Sequence, residues 1–142
     1  MKASARNQFS GIVNEVTIGA VNAEVHVGLQ GGEIIVASVT KESVESLGIK
    51  AGMEVLALVK APQIILVTDF GGYKLSARNQ LQGTVTEIKI GAVNAEVDIE
   101  LKGGEKIAAT VTDDSVKTLG LSKGQSIMAV FKAGAVILAI KG

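Results

Sequence analysis

The chain has 142 residues and carries 14 cationic and 14 acidic side chains, so it has no basic excess with which to displace counterions from nucleic acid. No Trp, one Tyr and three Phe leave few rings for base stacking, and the absence of Cys excludes disulfides and thiolate metal sites.

Taken in order, the start Met1–Asn7 is polar and has no apolar stretch of the kind a secretory leader needs, so the expected compartment is the cytoplasm. Apolar runs such as Ile64–Val67 are far too short to span a membrane. Arg6–Ile18 predicts a strand with rough alternation. Gly19-Ala20 predicts a turn. Val21, Ala23, Val25, Val27 and Leu29 then alternate strictly with polar or small residues, the pattern of a half-buried strand. Gly31-Gly32 reads as a hairpin turn and Glu33–Val39 as a third strand. Thr40–Gly48 has a Thr cap, early polar residues, Val44 and Leu47 three apart and a closing Gly, which predicts one to two turns of helix. Glu54–Lys60 and Gln63–Thr68 are two more strands, separated by Ala61-Pro62.

The scheme then repeats. Ser4-Ala5-Arg6-Asn7-Gln8 returns as Ser76–Gln80, an offset of 72 (76 minus 4), and the same offset carries Gly19–Val25 onto Gly91–Val97. Aligned without a gap from Lys2 and Lys74 through Leu66 and Leu138, about half the positions are identical. Two copies of one fold follow. We divide the chain into units 1–70 and 74–142 with 71–73 as linker. Units of this size are marginal as lone domains, so contact between the halves and between chains is the expected extra stabilisation. The fold class is all-β: two tandem OB-like five-stranded antiparallel barrels, each with one short helix between its third and fourth strands.

Three stretches carry candidate chemistry. On an extended strand Ser4, Arg6 and Gln8 share a face, as do Ser76, Arg78 and Gln80. A hydroxyl, a guanidinium fork and an amide can all donate to an anion. A solvated strand start would explain one copy. Four polar identities within five residues kept in both copies favour function, because core packing does not select polar residues. The helix starts at Thr40–Ser43 and Thr112–Ser115 offer free backbone N–H groups that suit an anion, although read alone they are capping sequences. Lys60-Ala61 and Lys132-Ala133 end an apolar strand in both copies, where the lysine supplies charge to an anion or equally snorkels to solvent. The repeated Gly-Ala-Val-Asn-Ala-Glu-Val block reads as a turn followed by a packing or subunit-contact surface, since Glu24 and Glu96 are poor partners for an anion. No enzyme is indicated. The lone histidine, His26, becomes Asp98 in the second copy, and no repeated acid–base pair, nucleophile or phosphate loop is present.

Ser-Ala-Arg-Asn-Gln, then Gly-Ala-Val-Asn-Ala-Glu-Val, Thr-x-x-Ser-Val-x-x-Leu-Gly and Lys-Ala-Pro, together resemble the Mop or TOBE family of molybdate-binding domains, and the tandem arrangement resembles the di-Mop molbindins. The resemblance implies OB-like barrels assembled as a homotrimer, with oxyanions held at domain and subunit interfaces. Carried over by motif, it implies molybdate-binding roles for Ser4, Arg6, Asn7, Ser43, Lys60 and Ala61, and for Ser76, Arg78, Asn79, Ser115, Lys132 and Ala133. The second copy departs at Lys132-Ala133-Gly134, losing the proline that shapes the turn. The expected function is reversible binding and intracellular storage of molybdate, with tungstate as an alternative ligand, and with no covalent cofactor, nucleic acid or membrane partner. The rival readings are an OB-type nucleic-acid binder, opposed by neutral charge and scarce aromatics, a purely structural oligomeric module, which leaves the repeated Arg and Lys unexplained, and an enzyme of molybdenum-cofactor assembly, for which no reactive group is repeated.

Overall fold

The computed structural model describes residues 1–142. Ten strands and two short helices run in the order β1 (Asn7–Ile18), β2 (Asn22–Leu29), β3 (Ile34–Thr40), α1 (Lys41–Leu47), β4 (Glu54–Val59), β5 (Ile65–Val67), β6 (Asn79–Ile90), β7 (Asn94–Leu101), β8 (Lys106–Thr112), α2 (Asp113–Leu119), β9 (Ser126–Phe131) and β10 (Ile137–Ala139). One-turn 3₁₀ segments at Ala61–Gln63 and Ala133–Ala135 join the fourth strand of each repeat to the fifth. The alternation in residues 21–29 becomes β2 from Asn22 onward, with Ala23, Val25, Val27 and Leu29 buried, while Val21 falls in the preceding turn and is exposed. Both helices are capped as their sequences imply. Thr40 and Thr112 accept the backbone N–H of Ser43 and Ser115 at 3.0 Å, and Gly48 and Gly120 close the helices in the left-handed conformation at φ 66° and 60°. No helix is long and apolar enough to cross a membrane.

The strands form two antiparallel five-stranded sheets, and these cut across the repeat. One has the order β10-β4-β1-β2-β3, the other β5-β9-β6-β7-β8. Each half lends its fifth strand to the other: Ile137–Ala139 pairs with Leu56–Leu58, and Ile65–Val67 with Met128–Val130. The short turns travel with the lent strands, so Ala133–Ala135 packs on β3 and Ala61–Gln63 on β8, closing the open side of each curled sheet. Thirty buried residues drawn from both halves make one continuous hydrophobic cluster. The size limit on a unit of about 70 residues is thereby lifted, because neither half has to close a core alone.

The long strands β1 and β6 hold each sheet together. The first half of β1 pairs with β4 and the second with β2, and the ladder slips by one residue between Val13 and Glu15. β6 repeats the slip between Val85 and Glu87. A bulge there bends the strand so that it serves two neighbours in a curled sheet. Just before each bend the strands crowd. A Cβ on Gly83 would lie 2.5 Å from Ile99 Cγ2 and 2.7 Å from the Glu100 carbonyl oxygen, and Gly11 meets Val27 and the Gly28 carbonyl in the same way. The carbonyl belongs to the paired strand and has no room to yield. Gly83→Ala is expected to cost about 1–3 kcal/mol of stability, read from the denaturation midpoint; an unchanged midpoint would contradict this crowding.

Candidate functional site

Register places the first group of candidate residues together. Asn7 pairs with Val59 at the end of the β1–β4 ladder, and Arg6 and Lys60 are the residues next to that last pair. Asn79 pairs with Phe131, and Arg78 and Lys132 flank that pair in the same way. The polar pentapeptide and the lysine turn, more than fifty residues apart in each repeat, thus become two sides of one place. Ser4, Arg6, Lys60, Ser76, Arg78 and Lys132 are exposed, and Ala61 and Ala133 are buried beneath the turns. The proline lost from the second copy changes little in the backbone. Lys60 and Lys132 have φ, ψ of −70°, 137° and −72°, 143°, and Ile64 and Val136 at the far end of the turns also agree.

Each of these places is built against the other half of the chain. Asn7 is buried and points inward. Its side-chain oxygen accepts the Ala108 N–H at 2.7 Å and its amide donates to the Ala108 carbonyl at 2.9 Å. Asn79 makes the same pair of bonds with Val36, both at 2.8 Å. The amide takes the place of a neighbouring backbone and satisfies the outer edge of β3 or β8. The asparagines therefore stitch each pentapeptide to the opposite sheet, while Arg6 and Arg78 remain outside.

The helix starts are less closely joined to this place. Ser43 and Ser115 spend their backbone N–H groups on the caps, and their hydroxyls lie 2.7 and 2.8 Å from the Thr40 and Thr112 hydroxyls. Ser43 shares a hollow of about 250 Å³ with Val136, Ile137 and Leu138, the strand that follows the Lys132 turn, but no hydrogen bond joins it to Arg78 or Lys132.

Two residues that the sequence reading set aside stand against these arginines. Glu24 reaches across the halves to Arg78, with Oε2 2.5 Å from Nη1, and Glu96 reaches Arg6 with Oε1 2.5 Å from Nη1. Reading Glu24 and Glu96 only as poor anion partners overlooked what a carboxylate does for an arginine. Their identity in both copies, on the polar face of a strictly alternating strand, was the available signal. Each carboxylate engages one terminal nitrogen and leaves the rest of the guanidinium fork without a protein partner.

The two places differ in what surrounds the glutamate. Around Glu24, His26 Nε2 lies 2.8 Å from Oε1 and His26 Nδ1 lies 3.8 Å from Glu15. The hydrogen bond from His26, and then Arg78, hold the Glu24 carboxyl below its ordinary range. Around Glu96, Lys89 approaches Oε2 at 3.4 Å and the Asp98 carboxylate at 3.6 Å. Glu96 is lowered by its hydrogen bond with Asp98 and by Arg6, whereas burial and then the same Glu96 push Asp98 up. The dominant proton acceptor of that acidic pair is therefore Asp98, and Glu96 stays charged beside Arg6.

Residues 3–66 and 75–138 each match the TOBE domain. The chain is 54% identical to the cytoplasmic molybdate-binding protein ModG, whose crystal structure with molybdate bound superposes with a TM-score of 0.96 and covers 99% of this chain and 100% of that one. It is 43% identical over 141 residues to the molybdenum transport protein ModE of Herbaspirillum seropedicae, covering 99% of this chain and 52% of that protein. With ModE of Azotobacter vinelandii the identity is 46% over 142 residues, covering 100% of this chain and 52% of that protein. The chain thus spans about half the length of the curated relatives it matches. With a domain match that takes in nearly all of both repeats, the chain belongs to the TOBE domain family and carries that domain twice in tandem.

Proposed function

We propose that this chain binds molybdate reversibly and without covalent chemistry, and that it serves to store the ion in the cytoplasm. The observation that carries the reading is that Arg6 and Lys60 flank the Asn7–Val59 pair, and Arg78 and Lys132 the Asn79–Phe131 pair, each at a junction of the two halves, with most of each arginine fork still open. A tetrahedral oxyanion with two negative charges accepts hydrogen bonds only, and one arginine with one lysine matches that charge. Ser4 and Ser76 lie in the exposed lead-in to each strand and can add hydroxyl donors. Asn7, Asn79, Ala61 and Ala133 contribute through the backbone and by holding the walls in place. Ser43 and Ser115 contribute from the helix starts of the opposite half. ModG, so similar over its whole length, was crystallised with molybdate, which supports the same ligand here. Tungstate has the same shape and charge and is the second ligand. We read 1–70 and 74–142 as the two repeat units, and we assign no catalytic role.

We further propose that the working assembly is a homotrimer. Val21 and Val93, at equivalent turns, are 73% and 72% exposed, and Ile18 and Ile90 stand exposed beside them. Apolar groups repeated at matched positions suit burial between subunits. Native mass spectrometry of the chain with and without molybdate tests both proposals at once. The expected result is a trimer that gains whole numbers of oxyanions; a monomer that takes up none would refute them.

A further inference from the structure

The Arg78 and Arg6 places have the same donors but different surroundings. At the first, Glu24 stands between two cationic groups: one oxygen faces Arg78 and the other faces His26. Glu15 reaches His26 from β1, while the residue paired with His26 on β3 is the uncharged Val36. No further charged group pairs with the histidine. At the second place Asp98 occupies the position of His26 and Lys89 that of Thr17, so Glu96 is surrounded by Arg6, Lys89 and a second carboxylate.

The geometry points to His26 as a residue that sets oxyanion affinity at the Arg78 site: when it is protonated it takes over the charge of Glu24 and leaves that of Arg78 to the ligand. The Arg6 site has Asp98 at that position and no counterpart of the histidine. This rests on the proposed oxyanion role of the two arginines.

The physical basis is a competition. Glu24 both holds the guanidinium in position and cancels its charge. With His26 neutral, the group of Arg78, Glu24 and Glu15 carries one net negative charge, which opposes a dianion. With His26 protonated the group is neutral, and the added charge lies one carboxylate away from the guanidinium. Histidine changes charge between about pH 5 and 8, so binding at the Arg78 site strengthens as pH falls through that range. Linkage requires the converse: oxyanion binding there draws a proton from solvent onto His26. A half-exposed site at physiological salt limits the gain to roughly threefold to tenfold. At the Arg6 site Lys89 keeps its charge across the range, and Asp98, whose pKa burial and then Glu96 push up, stands where the first site has the histidine.

The test is titration calorimetry with sodium molybdate from about pH 8 to about pH 6, in two buffers of different ionisation enthalpy. Arg6→Ala isolates the Arg78 site, and Arg78→Ala isolates the Arg6 site. The expected result is affinity that rises roughly threefold to tenfold, with proton uptake, in the Arg6→Ala protein. Adding His26→Gln to that protein should remove both while binding continues, and Asp98→His in the Arg78→Ala protein should introduce both. Binding that depends on Arg78 but has the same pH profile with and without His26→Gln overturns this inference and leaves the oxyanion reading intact. Absence of molybdate binding in the unaltered chain overturns both.

Discussion

Arg78→Ala should abolish one class of oxyanion site and leave the other, and Arg6→Ala should do the reverse. Each substitution removes a cation and at least two charge-assisted donors, worth about 2–3 kcal/mol together, or roughly thirtyfold to a hundredfold in affinity. The loss is compounded by what stays behind. Glu24 and Glu96 then lose their arginine and keep their charge facing the place the anion would occupy. Arg78→Lys separates the contributions: it restores charge but not the fork, and affinity should recover in part. Because the arginine of one repeat is held by the glutamate of the other, the two variants test sites that each span both halves. Molybdate calorimetry reads this directly. Undiminished stoichiometry and affinity in both alanine variants would end the assignment of these arginines.

The second large effect is on stability and concerns Asn79. Its side chain is 1% exposed and makes two bonds of 2.8 Å to the N–H and C=O of Val36, which is itself buried. Asn79→Ala leaves both backbone groups without a partner and out of reach of water. At about 1–3 kcal/mol for each unsatisfied group, the expected cost is about 2–6 kcal/mol, a large part of the stability of a protein of this size. Asn79→Asp tests the geometry more narrowly: the oxygen that accepts the Val36 N–H is kept, and a carboxylate is turned toward the Val36 carbonyl. It should be destabilising too. Gln80→Ala, next in sequence but bonded only to nearby carbonyls, serves as the control and should change stability little. Chemical denaturation followed by circular dichroism measures all three. An Asn79→Ala protein as stable as the Gln80→Ala protein would show that the amide is not the stitch described above.

These two residues show where sequence reasoning succeeds and where it stops. Alternation in residues 21–29 identifies β2 because one face is buried and a slip of one residue would expose Val25 and Val27. The helices are legible because Thr caps and left-handed glycines are local devices. Arg6 and Lys60 could be named singly, and only the β1–β4 register brings them to the same end of one ladder. Alternation also places Asn7 on the face opposite Arg6, but its partner, Ala108, is 101 positions away and offers only backbone, which carries no residue-specific signal. The exchange of fifth strands is hidden for a different reason. Ile65–Val67 and Ile137–Ala139 are short apolar strands with equivalent acceptors, Met128–Val130 and Leu56–Leu58, so pattern alone gives no preference for either.

That exchange bears on how such a chain could arise. A single repeat whose fifth strand prefers a sister sheet is incomplete when alone, and finding that sister is a bimolecular event that dilution reverses. Residues 68–78 connect the two copies and replace that encounter with an internal one. A short flexible connection sets an effective concentration on the order of millimolar, far above what a second free chain would supply. Duplication of the repeat within one chain is in this sense an act of assembly: the pair that separate copies would form only when abundant is present in every molecule from synthesis onward.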